Sequence, residues 1–218
     1  MGTHHTFEDL NNPYVGKKLF KFKQMRLMKM EKGGNRVSPD HEIIADKGAC
    51  AAYTMLWCRE QSAPGIFSFD RDGTYTGSLK GGRSQAVTLG IQLHAYKRGF
   101  LGDTYHPDDG MVNLGRSVGL GVGPSKRYDD LHAALQDIQK VPGTLYVAEI
   151  QCIETKGAVT WHAVGVNMLQ NRDLILFDPN CGEYQVFDAM NFVLYLEGSY
   201  QKTDMDRFGE CHVYKIRT

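Results

Sequence analysis

The spacing of apolar and polar positions changes character along this chain, from helical periods in the first two thirds to short strand-like runs in the last third. CAAYTMLWCRE, from Cys50 to Glu60, is apolar on most faces and rich in helix formers, which predicts a buried helix entered through the turn-permissive Gly48. Ser84 is placed to cap a helix over about 85–98, with Val87, Ile91 and Ala95 on one face. The glycine-rich stretch from Gly99 to Pro124 reads as a loop rimming a cleft. A further helix is expected from Ser125 to about Lys140. There Leu131, Ala134, Leu135 and Ile138 keep helical spacing, Asp129 and Asp130 lie near the start, and Pro142-Gly143 ends it.

After Gly143 the period shortens. Strands are expected over 144–153, 161–169, 173–179, 182–187 and 212–217, with a short helix over 188–198 before the last. Gln170-Asn171-Arg172-Asp173 is the turn of a hairpin that pairs Leu169 near Leu174. Helices first and a mostly antiparallel sheet second define an α+β fold with a helical side and a sheet side.

Composition narrows the function classes. Basic and acidic residues number 25 each, so the net charge is zero. That argues against a dedicated nucleic-acid binder, whose affinity comes largely from neutralising phosphates. The balance is uneven along the chain: residues 1–36 form a basic N-terminal arm of net +5, and the body over 37–218 is correspondingly acidic. The segment 17–36, KKLFKFKQMRLMKMEKGGNR, is suited to an anionic membrane or an acidic partner. The plainer reading is a surface extension whose Leu19, Phe20, Phe22, Met25, Leu27 and Met28 pack on the body. No run is long and apolar enough for a transmembrane helix, and the first residues lack the pattern of a cleavable signal peptide. The five cysteines (Cys50, Cys58, Cys152, Cys181 and Cys211) are scattered and form no CxxC pair. They read as reduced thiols with no metal site and no cofactor requirement.

Three stretches carry the chemistry. Gly48-Ala49-Cys50 opens the buried helix, where unpaired backbone N–H groups and the helix dipole favour a thiolate. Trp161-His162 precedes the hairpin, and Phe177-Asp178-Pro179-Asn180 follows it, so the antiparallel pairing brings His162 and Asp178 within a few positions of each other. An imidazole so placed takes the thiol proton with one nitrogen while a carboxylate holds the other. Each piece alone has a plainer explanation: an inert core thiol, a satisfied histidine, an Asp-Pro turn.

Taken together, these motifs resemble the YopT-type family of bacterial effector cysteine peptidases, which has a papain-like fold. The resemblance rests on Gly48-Ala49-Cys50 with Trp57 two turns on, then His162, then Phe177-Asp178-Pro179-Asn180-Cys181-Gly182-Glu183, across about residues 46–187. It implies Cys50 as nucleophile, His162 as general base and then acid, and Asp178 as orienting carboxylate. It also implies a protein substrate inside a target cell, reached by secretion without a cleavable signal. One position departs from the papain-like pattern, since Ile43-Ile44-Ala45-Asp46-Lys47 holds no amide side chain for an oxyanion hole. Gln24, Asn35 and Lys47 are the candidate second donors. The expectation is a cysteine peptidase. A glutamine deamidase or transglutaminase would use the same triad, a binding effector would merely keep the fold, and in a purely structural protein Cys50 would belong to the core.

Overall fold

The computed structural model describes residues 15–20, 50–63, 107–200 and 205–218. Seven strands form one sheet in the order β1-β6-β5-β4-β3-β7-β2, every neighbouring pair antiparallel. They are β1 (Gly16–Phe20), β2 (Gly121–Tyr128), β3 (Thr144–Glu154), β4 (Val159–Met168), β5 (Leu174–Asp178), β6 (Gly182–Val186) and β7 (Met205–Arg217). Four helices accompany them: α1 (Cys50–Ser62), α2 (Pro107–Ser117), α3 (Leu131–Ile138) and α4 (Ala189–Tyr200). The fold is α+β, as the sequence predicts, but helices cover both faces of the sheet rather than one side.

The period of two along each strand explains the double layer, because alternate residues point to opposite faces. Val147, Ala163, Phe177 and Tyr214 face α1 and α2, where they meet Tyr53, Leu56, Trp57, Met111 and Leu114. Ala148, Val164, Leu176 and Val213 face α3 and α4, against Leu131, Leu135, Phe192 and Leu196. The central strands are apolar on both faces, which is why they read as continuous apolar runs rather than alternating ones.

Several expectations need correction. Gly99–Pro124 is not a loop throughout: α2 lies inside it and β2 begins at its end. Met111, Leu114 and Val118 supply a buried stripe at helical spacing, and Gly115 interrupts it because a Cβ there would overlap the Val122 side chain. The helix expected from Ser125 starts only at Leu131, since Ser125–Tyr128 pairs with Cys211–Tyr214 of β7. Asp130 is its N-cap, accepting from the Ala133 N–H at 2.7 Å. Pro124 sits where the β2–β7 register shifts on an edge strand, a position where a missing N–H costs no ladder bond. The last strand is longer than expected, starting at Met205 rather than His212. The helix expected over 85–98 lies outside the described residues. Within the basic arm, Gly16–Phe20 is the sheet strand β1, paired with β6.

The hairpin between β4 and β5 closes through Arg172 in the left-handed region (φ 71°), with Met168 rather than Leu169 opposite Leu174. Helix α1 is fastened along β4 by three side chains in succession. Thr54 Oγ1 donates to the Ala163 carbonyl at 3.1 Å, Trp57 lies over Gly165, and Asn167 Nδ2 donates to Gln61 Oε1 at 3.0 Å. Trp57 is fully buried, stacks on Phe177 with centroids 5.5 Å apart, and donates its indole N–H to Glu183 at 2.6 Å. Gly165 is required here, because a Cβ would enter the indole ring. We therefore expect Gly165→Ala to destabilise the fold by about 1–3 kcal/mol through overpacking. Denaturant melts check this, and an unchanged midpoint would show that Trp57 yields freely.

Candidate active site

The direction of α1 fixes where its first residue lies. From Thr54 to Gln61 the helix follows β4 from Ala163 to Asn167, so helix and strand run the same way. One turn back, about 5.4 Å, brings Cys50 to the level of Trp161 and His162, since a strand residue spans about 3.3 Å. Across the hairpin, Gly165 pairs with Phe177, which puts Asp178 level with Val164. His162 and Asp178 are thus diagonal neighbours on one face, a separation that long side chains bridge. Strand β5 ends at Asp178, and among the described residues none pairs with His162 on the β5 side of β4.

His162 Nε2 lies 3.0 Å from Asp178 Oδ1, with His162 7% and Asp178 0% exposed. Asp178 Oδ1 also accepts the Asn180 backbone N–H at 2.7 Å, an Asx turn that holds the carboxylate at the strand end. Burial by itself lowers the basicity of the imidazole. The charge and hydrogen bond of Asp178 oppose it, reinforced by a hydrogen bond and charge from Cys50, and together they raise the His162 pKa to about 10. With Nε2 committed to Asp178, Nδ1 is the nitrogen left for the thiol.

The structure therefore brings together the three residues singled out from sequence. It also separates Cys50 from the other four thiols. Cys50 is half-buried, whereas Cys58, Cys152, Cys181 and Cys211 are buried. Burial pushes the thiols of Cys58 and Cys211 far up, and that of Cys152 to about 12. The candidate oxyanion donors Gln24, Asn35 and Lys47 lie outside the described residues. Among the described residues no three His, Cys, Asp or Glu side chains gather as a metal site.

Two further residues shape the site, and of these only Tyr200 was not legible in the sequence. Trp161 is 37% exposed beside His162 and packs edge-on against His212, with centroids 5.1 Å apart. Tyr200, at the end of α4, places its hydroxyl 2.9 Å from both His162 Nε2 and Asp178 Oδ2. No spacing rule connects the last residue of a helix with a strand pair so far upstream, so only the folded chain reveals it.

The charge pair has a consequence for stability. The folded chain holds the His162 proton up to about 10, while an unfolded histidine releases it near 6.5. The stabilisation is fully present below about 6.5 and falls away as pH rises toward about 10. Thermal melts across that window should show wild type losing its advantage over His162→Gln as pH rises. A constant difference between the two would contradict a raised His162 pKa.

Neither a family model nor a curated protein matches the sequence. Among solved structures, the chain is similar to the Pseudomonas avirulence protein AvrPphB, with a TM-score of 0.60 and 16% sequence identity, over 86% of this chain and 99% of that one. The two proteins share a fold.

Proposed function

We propose that the protein is a cysteine peptidase that cleaves a protein of a target cell through a thioester intermediate. The observation carrying this reading is the buried imidazole bonded to Asp178 on one side and acted on by the Cys50 thiol on the other. The Cys50 thiolate attacks a carbonyl carbon, and the tetrahedral intermediate collapses as His162 Nδ1–H protonates the departing amine. The same nitrogen then takes a proton from water, whose oxygen adds to the thioester carbon and releases Cys50 as thiolate. Asp178 keeps Nε2 protonated and the ring in register throughout. The fold shared with an avirulence protein and the YopT-type motifs support an effector delivered into another cell. The basic charge of the segment 17–36 suits contact with an anionic membrane or acidic partner there.

Iodoacetamide mapping tests the nucleophile without knowledge of the substrate. We expect Cys50 to alkylate fastest of the five thiols and to lose that advantage in His162→Ala, while the buried thiols stay unmodified in the folded protein. Preferential labelling of Cys58 or Cys181 would overturn the assignment.

Reaction class is read from intact masses after incubation with target-cell lysate. A fragment pair with a new N-terminus, absent with Cys50→Ala, supports the peptidase. A product heavier by about one mass unit would instead mean glutamine deamidation, and a crosslinked species transglutamination, both by the same thioester. In whichever assay responds, Asp178→Ala should lower turnover by about 10^3-fold with the fold retained. Near-full activity in that variant, with activity lost in Asn180→Ala, would redraw the triad around the amide.

A further inference from the structure

Asp178 is fully buried, so each carboxylate oxygen needs its own hydrogen-bond donors to be satisfied and fixed. Oδ1 has two, the Asn180 N–H at 2.7 Å and His162 Nε2 at 3.0 Å, with the Tyr200 oxygen 3.2 Å away. Oδ2 depends on Tyr200. Among the described residues, that hydroxyl at 2.9 Å is its hydrogen-bond donor. The phenol is itself held in place, because Asn180 Nδ2 donates to the Tyr200 oxygen at 2.8 Å and the ring packs against His162 and Phe208 with centroids 5.4 Å from each.

A phenol carries one hydrogen, which settles its roles. Donating it to Oδ2 leaves two lone pairs: one accepts from the Asn180 amide, and the other stands 2.9 Å from His162 Nε2. Nε2–H is then shared between Asp178 Oδ1 and the phenol oxygen, and a bare Nε2 would face that lone pair unpaired. The arrangement favours the tautomer with hydrogen on Nε2 and frees Nδ1 for proton exchange with the thiol. Burial, with the Asp178 charge beside it, raises the phenol pKa well above its usual value, which keeps the hydrogen in place.

We propose that Tyr200 is a positioning residue of this site: through Asp178 and Nε2 of His162 it fixes the orientation and tautomer of the imidazole, and Asn180 in turn fixes the phenol. This explains both ends of the Asp178-Pro179-Asn180 run, since its first residue binds the imidazole and its last braces the phenol.

The proposal rests on the Cys50–His162–Asp178 reading above, and the experiment separates the two. The full chain is alkylated with iodoacetamide across a pH series, and the Cys50 peptide is followed by mass in wild type, Tyr200→Phe, Asp178→Ala and the double variant. Tyr200→Phe keeps the ring and removes the hydroxyl. It should move the onset of Cys50 alkylation to higher pH by about one unit, an approximately tenfold loss of rate below the new onset. In the Asp178→Ala background the same substitution should add nothing, because its effect runs through the missing carboxylate. An unmoved onset in Tyr200→Phe would overturn the proposal, as would an equal shift in both backgrounds, which would mark Tyr200 as merely structural. Should Tyr200→Phe fail to melt cooperatively, Asn180→Ala replaces it. That variant leaves the ring and the Asn180 backbone N–H in place and is expected to shift the onset in the same direction, and an unmoved onset there would overturn the proposal equally. Wild-type alkylation of Cys50 that ignores His162→Ala would instead bring down the underlying triad.

Discussion

The site depends first on the seating of Trp57 over Gly165. A helix and a strand from distant parts of the chain can slide past one another unless something marks a register, and here a buried indole fills the place of an absent side chain. Its N–H ends on Glu183, and burial raises the pKa of that carboxyl, so the bond sits where water cannot easily replace it. Phe177 stacks beneath, next to Asp178 in sequence. One contact thus ties the helix bearing the thiol to the two strands that flank the carboxylate.

This gives the spaced motif a physical meaning. Trp57 and Glu183 take no part in the proposed chemistry, yet they are its frame: the first holds the helix, the second receives the indole hydrogen, and Gly165 makes room for the indole. Asp178 is held in full burial by donors on every side: His162, the Asn180 N–H and Tyr200. The His162–Asp178 bond is therefore an outcome of packing around it as much as of the two side chains themselves.

Much of this was legible in the residues. The strands over 144–187 follow from β-rich runs cut by Gln170–Asp173 and Asp178–Gly182, and a hairpin leaves little freedom in where His162 and Asp178 meet. The buried helix at Cys50 was legible because its apolar run has no competing strand period. Misreadings arose where local signals conflicted with tertiary ones. Glycines at 110 and 115 masked α2, although Met111, Leu114 and Val118 carry its stripe, and Ser125–Tyr128 was drawn into the following helix because an edge strand with both faces partly exposed has no apolar alternation. Tyr200 was invisible for a different reason. Its value lies wholly in where α4 ends, and no local pattern encodes that.

Strand β1 pairs with β6 across nearly the whole length of the chain, from Gly16–Phe20 to Glu183–Val186, and Cys50 meets partners more than a hundred residues later. Assembly of such distant segments is slow, because chain closure must be achieved before any of the contacts reward it. During synthesis Cys50 emerges long before His162, Asp178 and Tyr200. A half-made chain therefore carries Cys50 without the imidazole that meets it in the folded protein.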